Sequence, residues 1–170
     1  DLQSTLAWPI INTEGERGVW NYMFVWNILS YIIREVTDFT PRELLAAKIL
    51  PAIGIEDTDI EWPLEFPGVS FDLQPHAFGM ELTTKQMAKI GQFVIQKGLD
   101  SPEGTQILSS EWIESSLSPQ TPLSPSLGVT YGYLWYNQKS EEFGDSYKAI
   151  GVNGQFIVVH PQSGIVLAIQ

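Results

Sequence analysis

Cysteine is absent from the 170-residue chain. A disulfide scaffold, thiolate-bound zinc, iron–sulfur clusters and a cysteine nucleophile are excluded with it. Cations are scarce: nine Lys and Arg face 20 Asp and Glu, for a net charge of −11. Binding a phosphate backbone depends on clustered Lys and Arg that release counterions, and no such cluster exists here. We expect no nucleic-acid partner, and read the acidity as ordinary solvated surface. Long apolar runs are also missing. The longest, residues 19–33, is broken by Asn21, Asn27, Ser30 and Tyr31 and is too short and polar to span a bilayer. No membrane span is expected. The chain starts at Asp1 with no basic n-region and no apolar h-region, and so reads as a processed product or a piece of something longer.

Chemistry-bearing signatures are sparse as well. His76 and His160 are the only histidines, and neither has a His or carboxylate at ligand spacing, so no metal is expected. No Gly-rich phosphate loop follows a strand and opens a helix, and no Gly-x-Ser-x-Gly elbow is present. No cofactor is expected. What is there is a globular composition, 44% hydrophobic and 12% aromatic with only 17% charged residues.

The chain reads as helices first and antiparallel strands second, an α+β order rather than alternating βαβ. Ile28, Leu29, Ile32, Ile33 and Val36 recur at helical spacing, predicting a helix from about Val25 to Val36. Thr40-Pro41-Arg42-Glu43 is a capping box with proline at the first helical position, and Pro51 ends the helix that follows. Residues 54–79 carry Trp62, Pro63, Phe66, Pro67, Phe71 and Pro75 and read as a long aromatic loop, of a length usually tied to function. Thr83 and Gln86 cap a third helix, which Gly98 stops as the C′ residue. A short fourth helix starts at Ser109 or Ser110 and carries Trp112, Ile113 and Leu117; Pro119, Pro122 and Pro125 then form a spacer. From there the period changes to two. Strands are predicted over 129–136, 147–150, 155–160 and 164–169, the last two joined by a Pro161-Gln162-Ser163-Gly164 hairpin turn with glycine at the positive-φ position. Residues 1–128 thus form a helical region with long loops and 129–170 an antiparallel sheet, together one incomplete domain.

Several phrases occur in a telling order. Trp20-Asn21-Tyr22 precedes the first helix, Ile49-Leu50-Pro51-Ala52-Ile53-Gly54 follows the second, and Leu82-Thr83-Thr84-Lys85-Gln86-Met87-Ala88-Lys89-Ile90-Gly91-Gln92 leads to Gly98. Then come Ile107-Leu108-Ser109-Ser110-Glu111-Trp112-Ile113, Tyr131-Gly132-Tyr133-Leu134-Trp135, and Gly151-Val152-Asn153-Gly154-Gln155 leading to His160-Pro161. This series resembles the serine β-lactamase and penicillin-binding-protein superfamily, most of all its class C-related serine hydrolases and esterases. The resemblance covers nearly the whole chain.

The resemblance implies a β-lactamase/transpeptidase-like fold and an acyl-enzyme mechanism on a small-molecule amide or ester. In it a Ser-x-x-Lys serine attacks, a Tyr-x-Asn tyrosine handles protons, and a strand motif borders the substrate. Tyr22 stands as the tyrosine, although Phe24 replaces the Asn; the loop is trimmed, or Asn21 takes the Tyr place, or Tyr22 only packs the loop. Val152-Asn153-Gly154 matches the strand motif without its cation, so Asn153, Gly154 and Gln155 are the substrate-bordering candidates, with the Gln155 N–H as oxyanion donor; a simple bend into the strand is the competing reading. Residues 54–79 and 137–146 would shape specificity, and Trp135 and Tyr136 would line the cleft or pack the core.

No serine has lysine three residues later. The resemblance places the nucleophile many tens of residues before the Tyr motif, so the chain is expected to be the C-terminal portion of such a hydrolase, inactive alone. A non-catalytic binding or interaction module is the alternative, and an enzyme with an unrecognised site a third. Missing neighbours would leave a sheet face and edge bare, which predicts a homo-oligomer. Family members often work in the periplasm or outside the cell.

Overall fold

A computed structural model of the chain describes residues 25–66, 69–70, 72–73 and 79–170. The fold class is α+β: the described residues contain four α-helices, a six-stranded antiparallel sheet and a separate two-stranded pair. Contacts group the chain into two compact units, residues 1–51 with 55–82, and residues 52–54 with 83–170. The helices after Thr83 therefore group with the strands.

In the first unit, α1 (Val25–Thr37) and α2 (Pro41–Lys48) are joined by a short link in which Asp38 takes φ 61°. The Thr40 capping box forms as expected: the Glu43 N–H donates to Thr40 Oγ1 and the Thr40 N–H to Glu43 Oε2. These bonds, with the Arg34 charge nearby, hold the Glu43 carboxyl below the usual carboxylate range. Helix α2 stops at Lys48, before Pro51, which instead opens a 3-10 turn over Pro51–Ile53. The stretch after it has more structure than a bare loop. It holds a 3-10 turn at Asp57–Asp59, a Glu61↔Glu81 bridge and a small hairpin of β1 (Glu65–Phe66) with β2 (Val69–Ser70). Ile55, Ile60 and Trp62 are buried there. Arg42 reaches from α2 to that stretch, ion-paired with Asp57 at 3.1 Å and donating to the Asp57 carbonyl. The apolar stripe of α1 is unevenly covered, with Ile32 49% and Val36 73% exposed.

The second unit is a helix-backed meander. Its sheet runs β3 (Thr121–Ser124), β4 (Val129–Tyr131), β5 (Tyr136–Gln138), β6 (Ser146–Ile150), β7 (Phe156–His160) and β8 (Ile165–Ile169), each antiparallel to the next. Helix α3 (Thr84–Ile95) lies across β7 and β8. The Thr83/Gln86 capping box is present. Gly91 permits the approach: a Cβ there would stand 2.5 Å from Val166 Cγ1 and 3.0 Å from Ile157 Cγ2. Met87, Phe93 and Val94 of α3 are buried, as are Ile157 and Val159 of the strand it covers, each such side chain contributing roughly 1.5–3 kcal/mol on burial. Helix α4 (Ser110–Leu117) starts at the Ser109 cap and buries Ile113 and Leu117.

Three expectations are corrected here. The single strand over 129–136 is two, β4 and β5, because the chain reverses at 132–135. Gly132 N–H donates to Trp135 O at 2.8 Å, and Leu134 takes φ 70°. Gly132 is needed, since a Cβ would lie 2.2 Å from the Ser116 carbonyl oxygen. Alternation of period two runs through such a hairpin unchanged, so it hides the turn. The proline spacer contains β3, which tolerates Pro122 because it is an edge strand and slips register between Pro122 and Ser124. The C′ residue ending α3 is Lys97, at φ 53°, and Gly98 is left-handed as well, at φ 83°. Gly98 is one place later, donating to Phe93 O while Lys97 donates to Val94 O, the paired bonds of a Schellman motif. The turn at Pro161–Gly164 forms as read, with Gly164 at φ 68°.

Candidate functional site

Of the candidates, Tyr22 lies outside the described residues, as does His76. Asn153, Gly154 and Gln155 lie together in the turn from β6 to β7. The turn closes on itself: Gly151 N–H donates to Gln155 O at 2.7 Å, Gly154 N–H to Gly151 O at 3.2 Å, and Asn153 N–H to Gln155 Oε1 at 3.2 Å. Gly154 sits at φ +91°, a conformation that glycine adopts without strain. A Cβ built on it would meet nothing within 4 Å, so the approach to the start of β7 is open. Val152, in the place of the motif's cation, is 80% exposed. The motif residues thus lead into the strand rather than lie within it.

His160 ends β7 and is fully engaged. Its Nδ1 is 2.7 Å from Ser163 Oγ, and Nε2 contacts the Phe143 carbonyl. A carbonyl only accepts, so Nε2 donates and Nδ1 accepts from the serine. The ring ties the 139–145 loop to the β7–β8 turn. Tyr136, a cleft candidate, packs edge-to-face on Tyr131 with centroids 4.9 Å apart. Among the described residues no group of three His, Asp or Glu is placed to hold a metal, and no helix is long and apolar enough to cross a membrane.

The β6–β8 sheet has two unlike faces. Cross-strand register puts Tyr147, Ala149, Ile157, Val159, Val166 and Ala168 on the face toward α3. Ile150, Phe156, Val158, Ile165, Leu167 and Ile169 share the other with Lys148 and His160. There Ile165, Leu167 and Ile169 are 59%, 49% and 44% exposed, and among the described residues β8 is the last strand of the sheet.

A feature without sequence signature lies on the α3 side. A concavity of about 330 Å³ forms where the ends of α3 and α4 meet Lys139, Asp145 and Tyr147. Lys97 and Glu114 form an ion pair of 2.7 Å beside it, and the bond to Glu114 raises the Lys97 pKa. Burial, then the Asp145 charge, pushes the Tyr147 phenol above its ordinary value. The lining residues are drawn from 94–161, too dispersed for any local motif. Comparison with known protein families and with curated proteins finds no match for this chain.

Proposed function

We propose that this chain is part of a β-lactamase-like serine hydrolase and supplies the substrate-bordering turn and strand, but not the nucleophile. The single observation behind this reading is the open turn at Gly154 leading into β7 of a helix-backed antiparallel sheet. Its support in sequence is the ordered set of phrases, together with the lack of any Ser-x-x-Lys within these 170 residues. The reaction would be acyl transfer from an amide or ester through an acyl-serine. Fluorescent penicillin and a fluorophosphonate, applied to cells that make the protein, test it. A labelled polypeptide should contain peptides of this chain and carry the label on a serine outside it. Label on one of the serines of this chain, or no label on any polypeptide containing it, overturns the reading.

We also propose that the chain self-associates through β8 and its bare face. An antiparallel pairing of two β8 strands centred on Leu167 would set Ile165 against Ile169 of the second copy and join the two apolar faces. Sedimentation velocity at micromolar concentration checks this, and a lone monomer counts against it.

A further inference from the structure

We propose that the concavity between the ends of α3 and α4 and the β5–β6 side of the sheet binds a small apolar amino acid or dipeptide as its zwitterion. The site is independent of the hydrolase reading and lies on the opposite face of the sheet from the bare apolar surface.

The wall is apolar: Ile113 and Leu117 are buried residues of α4, and Val94 belongs to the α3 core. A volume of about 330 Å³ suits a molecule of amino-acid to dipeptide size, near the small end of the usual pocket range. Around that wall the charges balance. Two of the nine basic residues of a chain at net −11, Lys97 and Lys139, sit there with Glu114 and Asp145. A lone anion would meet the two carboxylates and a lone cation the two amines. A molecule carrying both charges matches the set.

Not all of these groups are spent. Lys97 and Glu114 are paired to each other. Lys139, Asp145 and the Tyr147 hydroxyl have no hydrogen-bond or ion-pair partner among the described residues. Tyr147 keeps its proton, since burial and the Asp145 charge both disfavour the phenolate, and so offers a donor. Lys139 and Tyr147 would thus hold a ligand carboxylate, and Asp145 a ligand ammonium. Directly across the strand pair from Tyr147 stands Asn137, 2% exposed, and neither atom of its side-chain amide has a partner. Asn137 lies behind the lining rather than in it.

The test is amide NMR mapping on the full 170-residue chain with L-leucine and L-leucyl-L-leucine as probes. Isocaproate, which lacks the ammonium, and isoamylamine, which lacks the carboxylate, serve as the truncated probes. At least one zwitterion should shift the amides of 94–97, 113–118 and 145–147 saturably. Each truncated probe should bind about ten-fold or more weakly, the usual size of a lost charge-assisted contact. Lys139→Met and Asp145→Asn are surface changes that should leave the amide spectrum otherwise intact, and each should weaken the zwitterion by a similar factor. No saturable shift at these amides up to 10 mM, equal binding by the truncated probes, or unchanged affinity in both variants overturns the proposal.

Discussion

Strands β6 to β8 carry apolar residues on both faces, the outer one also holding Lys148 and His160, and the two faces differ in cover. On one, Ile157 and Val159 are 8% and 0% exposed beneath α3. On the other, Ile165, Leu167 and Ile169 stay about half exposed. A run such as Ile-Val-Leu-Ala-Ile is apolar on both sides of the pleat, so the sequence alone marks it as suited to a doubly covered strand. The covered side carries a device the other lacks: Gly91 lets the α3 backbone come close enough for Val166 and Ile157 to touch it. Apolar sequence states what a surface can bury, and a close-packed neighbour decides whether it does.

The comparison can be broken by placing a charge on each face in turn. Val159→Asp should cost upwards of about 4 kcal/mol, because an unpaired carboxylate enters a sealed interior, and the second unit should unfold cooperatively in denaturant at much lower concentration. Leu167→Asp should change stability by no more than roughly 0.5 kcal/mol while lowering self-association in sedimentation velocity. Equal losses from the two would show that the outer face is buried after all. Gly91→Ala tests the covering device: overpacking should cost about 1–3 kcal/mol in chemical unfolding, with no effect on association. Thr83→Ala removes the cap of the same helix and should cost roughly 0.5–2 kcal/mol, read from the same curves.

The smallest effect concerns pH on the covered side. The folded Tyr147 phenol is raised above its ordinary value of 10.0, so its contribution is present below that value and is lost as pH rises through the folded pKa. Burial is the larger cause and Asp145 the smaller. Asp145→Asn should therefore bring the Tyr147 titration, followed by phenolate absorbance, only part of the way back. A full return would make the Asp145 charge the main cause.

Legibility followed the range of the interaction. The capping boxes at Thr40 and Thr83, the Ser109 cap and the Gly164 turn each rest on bonds within a few residues, and all were readable from spacing. The β4–β5 reversal was not, because its cause is a carbonyl on α4: Gly132 is small so that Ser116 can approach it. Strand β3 was hidden by Pro122 and the prolines flanking it; Pro122 is admissible because the strand lies at the edge of the sheet formed by the described residues. Asn153, Gly154 and Gln155 were legible as a turn leading into a strand, and the structure adds that two of their N–H groups are used within the turn itself.

By itself the sequence determined the helices-then-strands order, the caps and turns at Thr40, Thr83, Ser109 and Gly164, the excess of acidic over basic charge, and the absence of cysteine chemistry from these residues. These follow from local hydrogen bonding, periodicity and charge counts. Only the tertiary structure decided which face of the β6–β8 sheet is sealed, and that residues as far apart as Val94 and Pro161 share one concavity. Both depend on contacts between elements distant in the chain, and no spacing along a sequence encodes such contacts directly.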